Sequence, residues 1–254
     1  MPSELLRPVI RGQQLKGQKS PWKTQVDQSV SRMNFSPVGL VLYAPLWFQG
    51  FSGSSFKAWD VANGSTRSCA VTGAVWTPQG RGFVAASSQY ISTGNWTKTT
   101  AMDISILVWF KADSVAGNQS LWVAAPSNAS PPYFASWLVG SKLRYNYAKD
   151  TANYVYWQTD TTTLSAGTWY LASIIQVGDA IPTMYINNIS QSVSVAGGAG
   201  TPTNPGTQPS AIGRYGASGT QYFGGLVGET LIYNRALTAA EIQNIYLATK
   251  WRYS

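Results

Sequence analysis

The sequence predicts an all-β fold that begins near residue 39. Beyond Gly39, short apolar runs alternate with Gly, Asn, Asp and Pro, a pattern typical of many short strands. The 254 residues include 11 Trp and 14 Tyr, types that favour strands. Charged residues make up only 11%, so Ser, Thr, Asn, Gln and Gly must supply most of the polar surface. One β domain of about 200–250 residues is an ordinary size, and no repeat or second boundary follows residue 39.

Apolar stretches bounded by turn residues are predicted as strands. In chain order they are 40–47, 83–93, 103–113, 120–125, 134–140, 142–148, 154–160, 169–177, 183–188, 192–197 and 226–234. The segment 196–210, "AGGAGTPTNPGTQPS", is rich in Gly, Pro and Thr. We therefore expect it to be irregular.

A single helix is predicted over 239–249. Thr238 and Glu241 have the Thr-x-x-Glu spacing of a capping box, in which each side chain binds the other residue's backbone N–H. Leu237 and Ile242 occupy the N′ and N4 positions of a hydrophobic staple. Glu241 is therefore interpreted as part of the helix end and not as a catalytic acid.

The acidic residues do not form a glycosidase pattern. Glycoside hydrolysis uses two carboxylates about 5–10 Å apart, and no predicted strand has two acids at i, i+2 spacing. Glu229, within a predicted strand, is interpreted as a buried and paired side chain. The chain has no His and one Cys, so Cys69 has no histidine to activate it and is predicted to be a small buried side chain. We expect a protein that is not an enzyme.

The positive charge is concentrated at the N-terminus. Residues 1–36 contain six Lys and Arg residues but only two acidic residues, Glu4 and Asp27. This composition divides the chain into a basic arm, 1–37, and a domain, 38–254. The arm is either a disordered tail or an anchor on a neighbouring subunit, through Arg7, Arg11, Trp22, Lys23 and Phe35. The body is too weakly charged to indicate nucleic-acid binding, and no apolar run is long enough for a signal peptide or a membrane span.

Three parts of the chain resemble laminin-G-like domains of the concanavalin A-like lectin/glucanase superfamily. "FGGLVGETLIYNRALTAAEI" (223–242) is similar to their closing strand and helix, with Gly228 where the family has an acid. "GLVLYAPL" (39–46), "WDVANGS" (59–65) and "GAVWTPQGRGFVAASSQYIST" (73–93) resemble their opening elements. "GTWYLASIIQVGDAIPTMYINN" (167–188) resembles a central hairpin. The resemblance covers 39–248 and implies a two-sheet antiparallel jelly-roll sandwich, with one concave sheet and one short C-terminal helix.

Some members of that family hold calcium with acidic loop residues. Here Asp60 and Asn63 are the oxygen donors in the corresponding loop. A hard cation needs several carboxylates or carbonyls, so no cofactor is expected, and Asp60 and Asn63 are kept as the candidates for a calcium site.

The densest aromatic cluster is the predicted hairpin 143–160. Sugar binding uses exposed rings together with planar polar groups that orient hydroxyls. Tyr145 and Tyr147 share one face of their strand, and Tyr154 and Tyr156 share one face of the next. The candidate sugar-binding residues are Trp137, Tyr145, Tyr147, Tyr154, Tyr156 and Trp157. The same residues would serve equally as a subunit interface or as core, where aromatic side chains are also favoured.

These observations are compatible with three functions. The first is a structural protein displayed on a virion or another extracellular surface, with the arm docking identical subunits. The second is a carbohydrate-binding lectin or adhesion module. The third, a glycoside hydrolase, lacks its acid motif. The first is the leading expectation, with other protein subunits as partners and glycans as an alternative.

Overall fold

The fold is described here from a computed structural model, over residues 35–98, 102–125, 134–148, 154–161, 164–198, 206–216 and 221–253. These residues form seventeen strands and one α-helix. The first nine strands are β1 (Leu40–Pro45), β2 (Ser55–Asp60), β3 (Ser65–Thr72), β4 (Val75–Thr77), β5 (Gly80–Phe83), β6 (Tyr90–Lys98), β7 (Ile104–Ala112), β8 (Asn118–Ala124) and β9 (Phe134–Val139). The others are β10 (Lys142–Ala148), β11 (Tyr154–Thr159), β12 (Trp169–Gln176), β13 (Thr183–Ile186), β14 (Ile189–Gln191), β15 (Val193–Gly198), β16 (Gly206–Ile212) and β17 (Gly225–Tyr233), followed by α1 (Ala239–Thr249). Short 3₁₀ turns occur at Gln49–Phe51, Ala85–Ser87 and Lys250–Arg252.

Fifteen of the strands pair antiparallel in two runs, and the other two, β4 and β5, form a hairpin in which β5 pairs with β17. The helix-side run has the order β2, β1, β17, β7, β12, β13, β14. The open run has the order β3, β6, β16, β8, β9, β10, β11, β15. Because β2 pairs with both β1 and β3, hydrogen bonding joins the two runs into one continuous sheet. The all-β prediction is confirmed, whereas the strands do not separate into two distinct sheets.

One apolar core takes side chains from both runs. Ile106, Val108 and Phe110 of β7 belong to the same buried cluster as Trp122 of β8 and Phe134 of β9. A second cluster lies on the other side of the helix-side run, where Leu107 and Trp109 pack with Ile242 and Ile245 of α1. Burial on both faces explains why β7 reads as a nearly continuous apolar segment.

The C-terminal helix forms as its sequence predicts. The Thr238 hydroxyl accepts a hydrogen bond from the backbone N–H of Glu241 at 3.3 Å, and the Glu241 carboxylate accepts one from the backbone N–H of Thr238 at 2.9 Å. Leu237 and Ile242 are buried in one cluster, as the staple requires. Arg235 adds an ion pair to Glu241, with Nη2 2.6 Å from Oε1. The glutamate is therefore occupied by the helix end.

Two element predictions are wrong. The segment 83–93 is not one strand, because the turn at Ala85–Ser87 separates β5 from β6 and ends in Ser88 at φ 54°. The segment 196–210 is not irregular throughout, because part of it forms β16, which pairs with β6 and β8. Pro209 fits within β16 at a shift of register and uses its carbonyl to accept from the N–H of Ala125. No helix within the described ranges is long and apolar enough to span a membrane.

Candidate functional site

The outward side of β9, β10 and β11 carries the accessible aromatic and polar groups predicted for ligand binding. Pairing places Arg144 of β10 between Trp137 of β9 and Gln158 of β11. Tyr156 and Tyr154 follow on β11 with the period of two that puts them on the same side as Gln158. We call these five residues the β9–β11 face.

Contacts on this face hold its groups in fixed positions. The Arg144 guanidinium carbon lies 4.7 Å from the centre of the Tyr156 ring, and Nη2 donates to Gln158 Oε1 at 2.9 Å. The rings of Tyr154 and Tyr156 stack with centroids 5.7 Å apart and planes 27° apart. Tyr154 is 37% exposed, while Arg144, Tyr156 and Gln158 are half-buried. The result is an ordered row of π faces and hydrogen-bonding groups that remains in contact with solvent.

Trp137 forms the floor of the face. It is only 7% exposed and meets the Tyr215 ring edge-on, at 5.1 Å and 86°. Its buried Nε1 donates to no acceptor within the described residues. Tyr215 was not singled out by sequence reasoning, because it follows β16 and reaches Trp137 only through the pairing of β16, β8 and β9.

Burial lowers the pKa of Arg144, and the neighbouring Tyr156 and Tyr154 oppose that shift. Desolvating a guanidinium without a counter-ion is unfavourable. The sheet therefore holds a cation at a position where an incoming anionic or strongly polar group would offset the cost.

Three of the predicted sugar-binding residues point the other way. Tyr145 and Tyr147 are fully buried and Trp157 is 3% exposed, all in the main core. Tyr145 pairs with Trp157 in register, with ring planes 18° apart. Because alternate residues of a strand face opposite sides, the residues that flank them are the ones on the outer side. Their prediction as ligand contacts is wrong, and they are core.

The predicted calcium donors are used within a turn. Asp60 Oδ1 accepts from Asn63 Nδ2 at 2.8 Å and from its backbone N–H at 3.3 Å. Asp60 Oδ2 lies 3.4 Å from Nε of Arg67. The amide of Asn63 therefore acts toward Asp60 as a donor, and the arginine supplies the positive charge. In the described part of the chain, no group of three or more His, Cys, Asp or Glu side chains is placed to hold a metal ion.

Glu229 lies far from the β9–β11 face, on the outer side of the helix-side run. It is fully buried, with Oε1 accepting from Trp47 Nε1 at 2.7 Å and from Arg252 Nη1 at 2.6 Å. Tyr43 Oη is 3.4 Å from Oε2. Burial raises the pKa of Glu229, while Arg252 and the hydrogen bonds act in the opposite direction. The interpretation of Glu229 as a buried, paired side chain is confirmed.

Most of the predicted docking arm lies outside the described residues, including Arg7, Arg11, Trp22 and Lys23. Phe35 is described, and it packs against its own domain, edge-on to Tyr43 at 5.8 Å and 89°. The role of Phe35 as an anchor on a neighbouring subunit stays a prediction.

The family model of the concanavalin A-like lectin/glucanases superfamily matches residues 85–243, more than half of the chain. This range contains all of β6 to β17 and therefore the whole β9–β11 face. No curated protein matches the sequence.

Several solved structures share the fold. Trypanosoma rangeli sialidase matches with a TM-score of 0.60 and 15% identity, over 92% of this chain and 38% of the sialidase. The binding domain of botulinum neurotoxin serotype D matches with a TM-score of 0.60 and 10% identity, over 83% of this chain and 52% of the toxin domain. The chain thus spans about a third to a half of the length of these structures.

These comparisons contradict two predictions. The prediction of a structural protein displayed on a virion is wrong, because the similar structures are of sialidases and neurotoxin binding domains. The prediction that the protein is not an enzyme is also contradicted, because the sialidases are enzymes. At 10–17% identity these likenesses describe the fold alone.

Proposed function

The chain belongs to the concanavalin A-like lectin/glucanase superfamily, and we propose that it is a carbohydrate-binding protein whose ligand lies on the β9–β11 face. The observation behind this proposal is the ordered row of Tyr154, Tyr156, Arg144 and Gln158. It offers exposed π surface and planar hydrogen-bonding groups on rigid strands.

Each part of the row has a counterpart in saccharide chemistry. The C–H faces of a pyranose ring pack on an aromatic face, and Tyr154 is the most exposed ring of the row. Sugar hydroxyls need donors and acceptors in fixed positions, which the amide of Gln158 and the guanidinium of Arg144 supply. Since the two side chains already hydrogen-bond each other, little rotamer entropy is lost when a ligand binds.

The similar structures support this proposal in general terms. One of them is Trypanosoma rangeli sialidase in complex with sialic acid, a carbohydrate, at 16% identity over 91% of this chain. Sialic acid is the ligand of that sialidase, and it is not assigned to the present chain. For the present chain, the proposal depends on the residues of the β9–β11 face.

The alternative use of the face is contact with another protein, since tyrosine is enriched at interfaces. The composition of the β9–β11 face favours a sugar as the ligand. The accessible part is a narrow row of two rings beside an arginine and a glutamine, and the larger aromatic groups nearby are buried. A stable protein interface buries about 800 Å² on each partner.

Binding of the full chain to an array of glycans, followed by calorimetry on the best ligand, tests the proposal. Tyr154→Ala and Tyr156→Ala should each weaken binding about five- to tenfold, consistent with about 1–1.5 kcal/mol for an aromatic contact. Trp251→Ala is the matched control, because Trp251 is 66% exposed and lies in the C-terminal segment away from this face. Equal losses in all three variants, or no glycan bound, would contradict the proposal.

A further inference from the structure

Most arginines in the described part of the chain have a partner for their charge within their own protein. Arg67, Arg235 and Arg252 are paired with Asp60, Glu241 and Glu229. Arg81 is buried and donates to the backbone carbonyls of Phe51, Gly53 and Ala74. In these four cases the positive charge has a structural partner.

Arg144 and Arg214 differ from the others. Within the described residues, neither is paired with a carboxylate, and each is placed over a tyrosine ring. The Arg144 carbon lies 4.7 Å from the centre of Tyr156, and the Arg214 carbon lies 3.6 Å from the centre of Tyr90. The Nε of each guanidinium is buried and has no hydrogen-bond partner there, a feature that both share with Arg81 and Arg252, so the missing carboxylate is what sets them apart from the ion-paired arginines. Of the five donor N–H groups of Arg144, the described residues engage one, through Gln158.

The two arginines are linked through the floor of the face. Arg144 is opposite Trp137 in the pairing of β10 and β9. Arg214 directly precedes Tyr215, whose ring meets Trp137 at 5.1 Å. The acidic residues of the described chain are Asp60, Asp103, Asp113, Asp160, Asp179, Glu229 and Glu241. None of them belongs to a strand from β8 to β11, although Asp160 directly follows β11, two residues beyond Gln158.

We infer that the saccharide bound on the β9–β11 face is anionic, and that Arg144 donates hydrogen bonds to its carboxylate or sulfate group. This inference depends on the proposed carbohydrate-binding function and specifies the class of ligand. A guanidinium offers a planar fork that matches a carboxylate or a sulfate with two parallel hydrogen bonds. Its stacking on Tyr156 and its bond to Gln158 fix the plane of that fork before the ligand arrives.

The half-buried position makes this pairing selective. An ion pair in an environment of reduced dielectric is stronger than one in water. A neutral sugar of the same shape would leave the desolvated cation without a counter-charge. The ring contacts with Tyr154 and Tyr156 are common to both ligands, so the anionic group alone should account for the difference between them.

The experiment uses a glycan library in which each backbone is present in neutral, carboxylated and sulfated forms. We expect the full chain to bind a carboxylated or sulfated form at least tenfold more tightly than its neutral counterpart. Comparison of the carboxylated with the sulfated forms then identifies which anionic group is recognised. Arg144→Gln should reduce the affinity for the anionic form to that for the neutral form. Arg144→Lys should recover only part of the loss, because an ammonium has no planar fork.

Lys250→Gln is the matched control, because it removes one positive charge at the end of α1 and should change the affinity less than twofold. Circular dichroism and melting curves verify that each variant is folded. Equal losses in Arg144→Gln and Lys250→Gln would indicate general attraction of a polyanion by a basic chain and would overturn the inference. Equal binding of neutral and anionic forms, with loss in Tyr156→Ala, would overturn the anionic class and leave the proposed function standing. Binding of none of the forms would contradict both.

Discussion

Arg252 and Glu229 form a buried ion pair, with Nη1 2.6 Å from Oε1. The Glu229 side chain is fully buried, and the side chain of Arg252 is 20% exposed. Arg252 also lies over the Trp47 ring, with its guanidinium carbon 4.3 Å from the centre, and Trp47 donates to the same carboxylate oxygen. The contact ties the segment after α1 to the middle of β17.

Removing Arg252 should destabilise the protein strongly. Arg252→Met leaves the buried Glu229 carboxylate without its counter-charge, so we expect the free energy of unfolding to fall by about 3 kcal/mol. Glu229→Gln should cost less, because the remaining arginine reaches solvent. Urea unfolding at pH 7 followed by tryptophan fluorescence measures both variants. A larger loss in Glu229→Gln than in Arg252→Met would contradict this assignment.

The Arg252→Met variant should also respond to pH. Burial already raises the pKa of Glu229, and loss of Arg252 removes its largest opposing influence. A carboxyl whose folded pKa lies above its unfolded pKa stabilises the fold most when protonated, so the stability deficit of the variant should shrink as the pH falls from 7 toward 5. Unfolding curves of wild type and variant over this interval test the point. A deficit that grows on acidification would show that Glu229 is not the group left uncompensated.

Glu241 should give the opposite pH dependence. Its pair with Arg235 lowers the pKa of Glu241 to about 2, against an ordinary value of 4.5. A depressed folded pKa contributes stability that is present above about pH 4.5 and is lost as the pH falls toward 2. Glu241→Gln should therefore be about 1 kcal/mol less stable than wild type at pH 7. The difference should narrow toward pH 2.5 in thermal melts, and a constant difference would contradict the assignment.

Tyr253 should contribute to stability through its ring. It stacks on Trp109 with centroids 4.4 Å apart and lies 4.6 Å from Trp169. Tyr253→Ala should cost about 3 kcal/mol and shift tryptophan emission to longer wavelength as water reaches the indoles. Trp251→Ala, two residues earlier and 66% exposed, should cost less than about 0.5 kcal/mol. Similar costs for both variants would show that the ring stack is not a major contributor.

Substitutions at two adjacent glycines of β15 should have different effects on glycan affinity and on stability. A Cβ at Gly197 would meet the phenolic end of Tyr156, which can move, whereas a Cβ at Gly198 would meet the backbone carbonyl of Tyr154. Gly198 also has φ 88°, which disfavours any other residue. Gly197 has φ 158°, at the edge of the region that favours glycine, so Gly197→Ala should also lower stability, but less than Gly198→Ala does. Gly197→Ala should displace the Tyr156 ring and reduce glycan affinity several-fold. Gly198→Ala should mainly lower the melting temperature, and an unchanged glycan affinity in Gly197→Ala would contradict the role of Tyr156.

Local chemistry made several features predictable. The helix from Ala239 to Thr249 was predicted because the cap, its glutamate and the staple lie within six residues of each other. These cap and staple residues also lie within the segment 223–242, which carried part of the family resemblance. In contrast, β2 and β3 were missed as strands, because "SFKAWD" is short and half polar, "STRSCAVT" is largely polar, and their pairing depends on partners elsewhere in the chain.

The side of the sheet on which each tyrosine lies was not predictable. Alternation showed that Tyr145 and Tyr147 share a face and that Tyr154 and Tyr156 share a face. It did not show whether these faces coincide, because either face can be core. The register that pairs Tyr145 with Trp157 places the first pair inside and the second pair outside.

The sequence by itself determined the strand-rich class, the capped helix and the family, because these depend on neighbours along the chain. Only the tertiary structure decided that Glu229 is neutralised by Arg252 and that Arg144 meets no carboxylate among the described residues. An ion pair, or the lack of one, depends on which side chains the pairing of distant strands brings within about 4 Å. That proximity is a property of the assembled sheet.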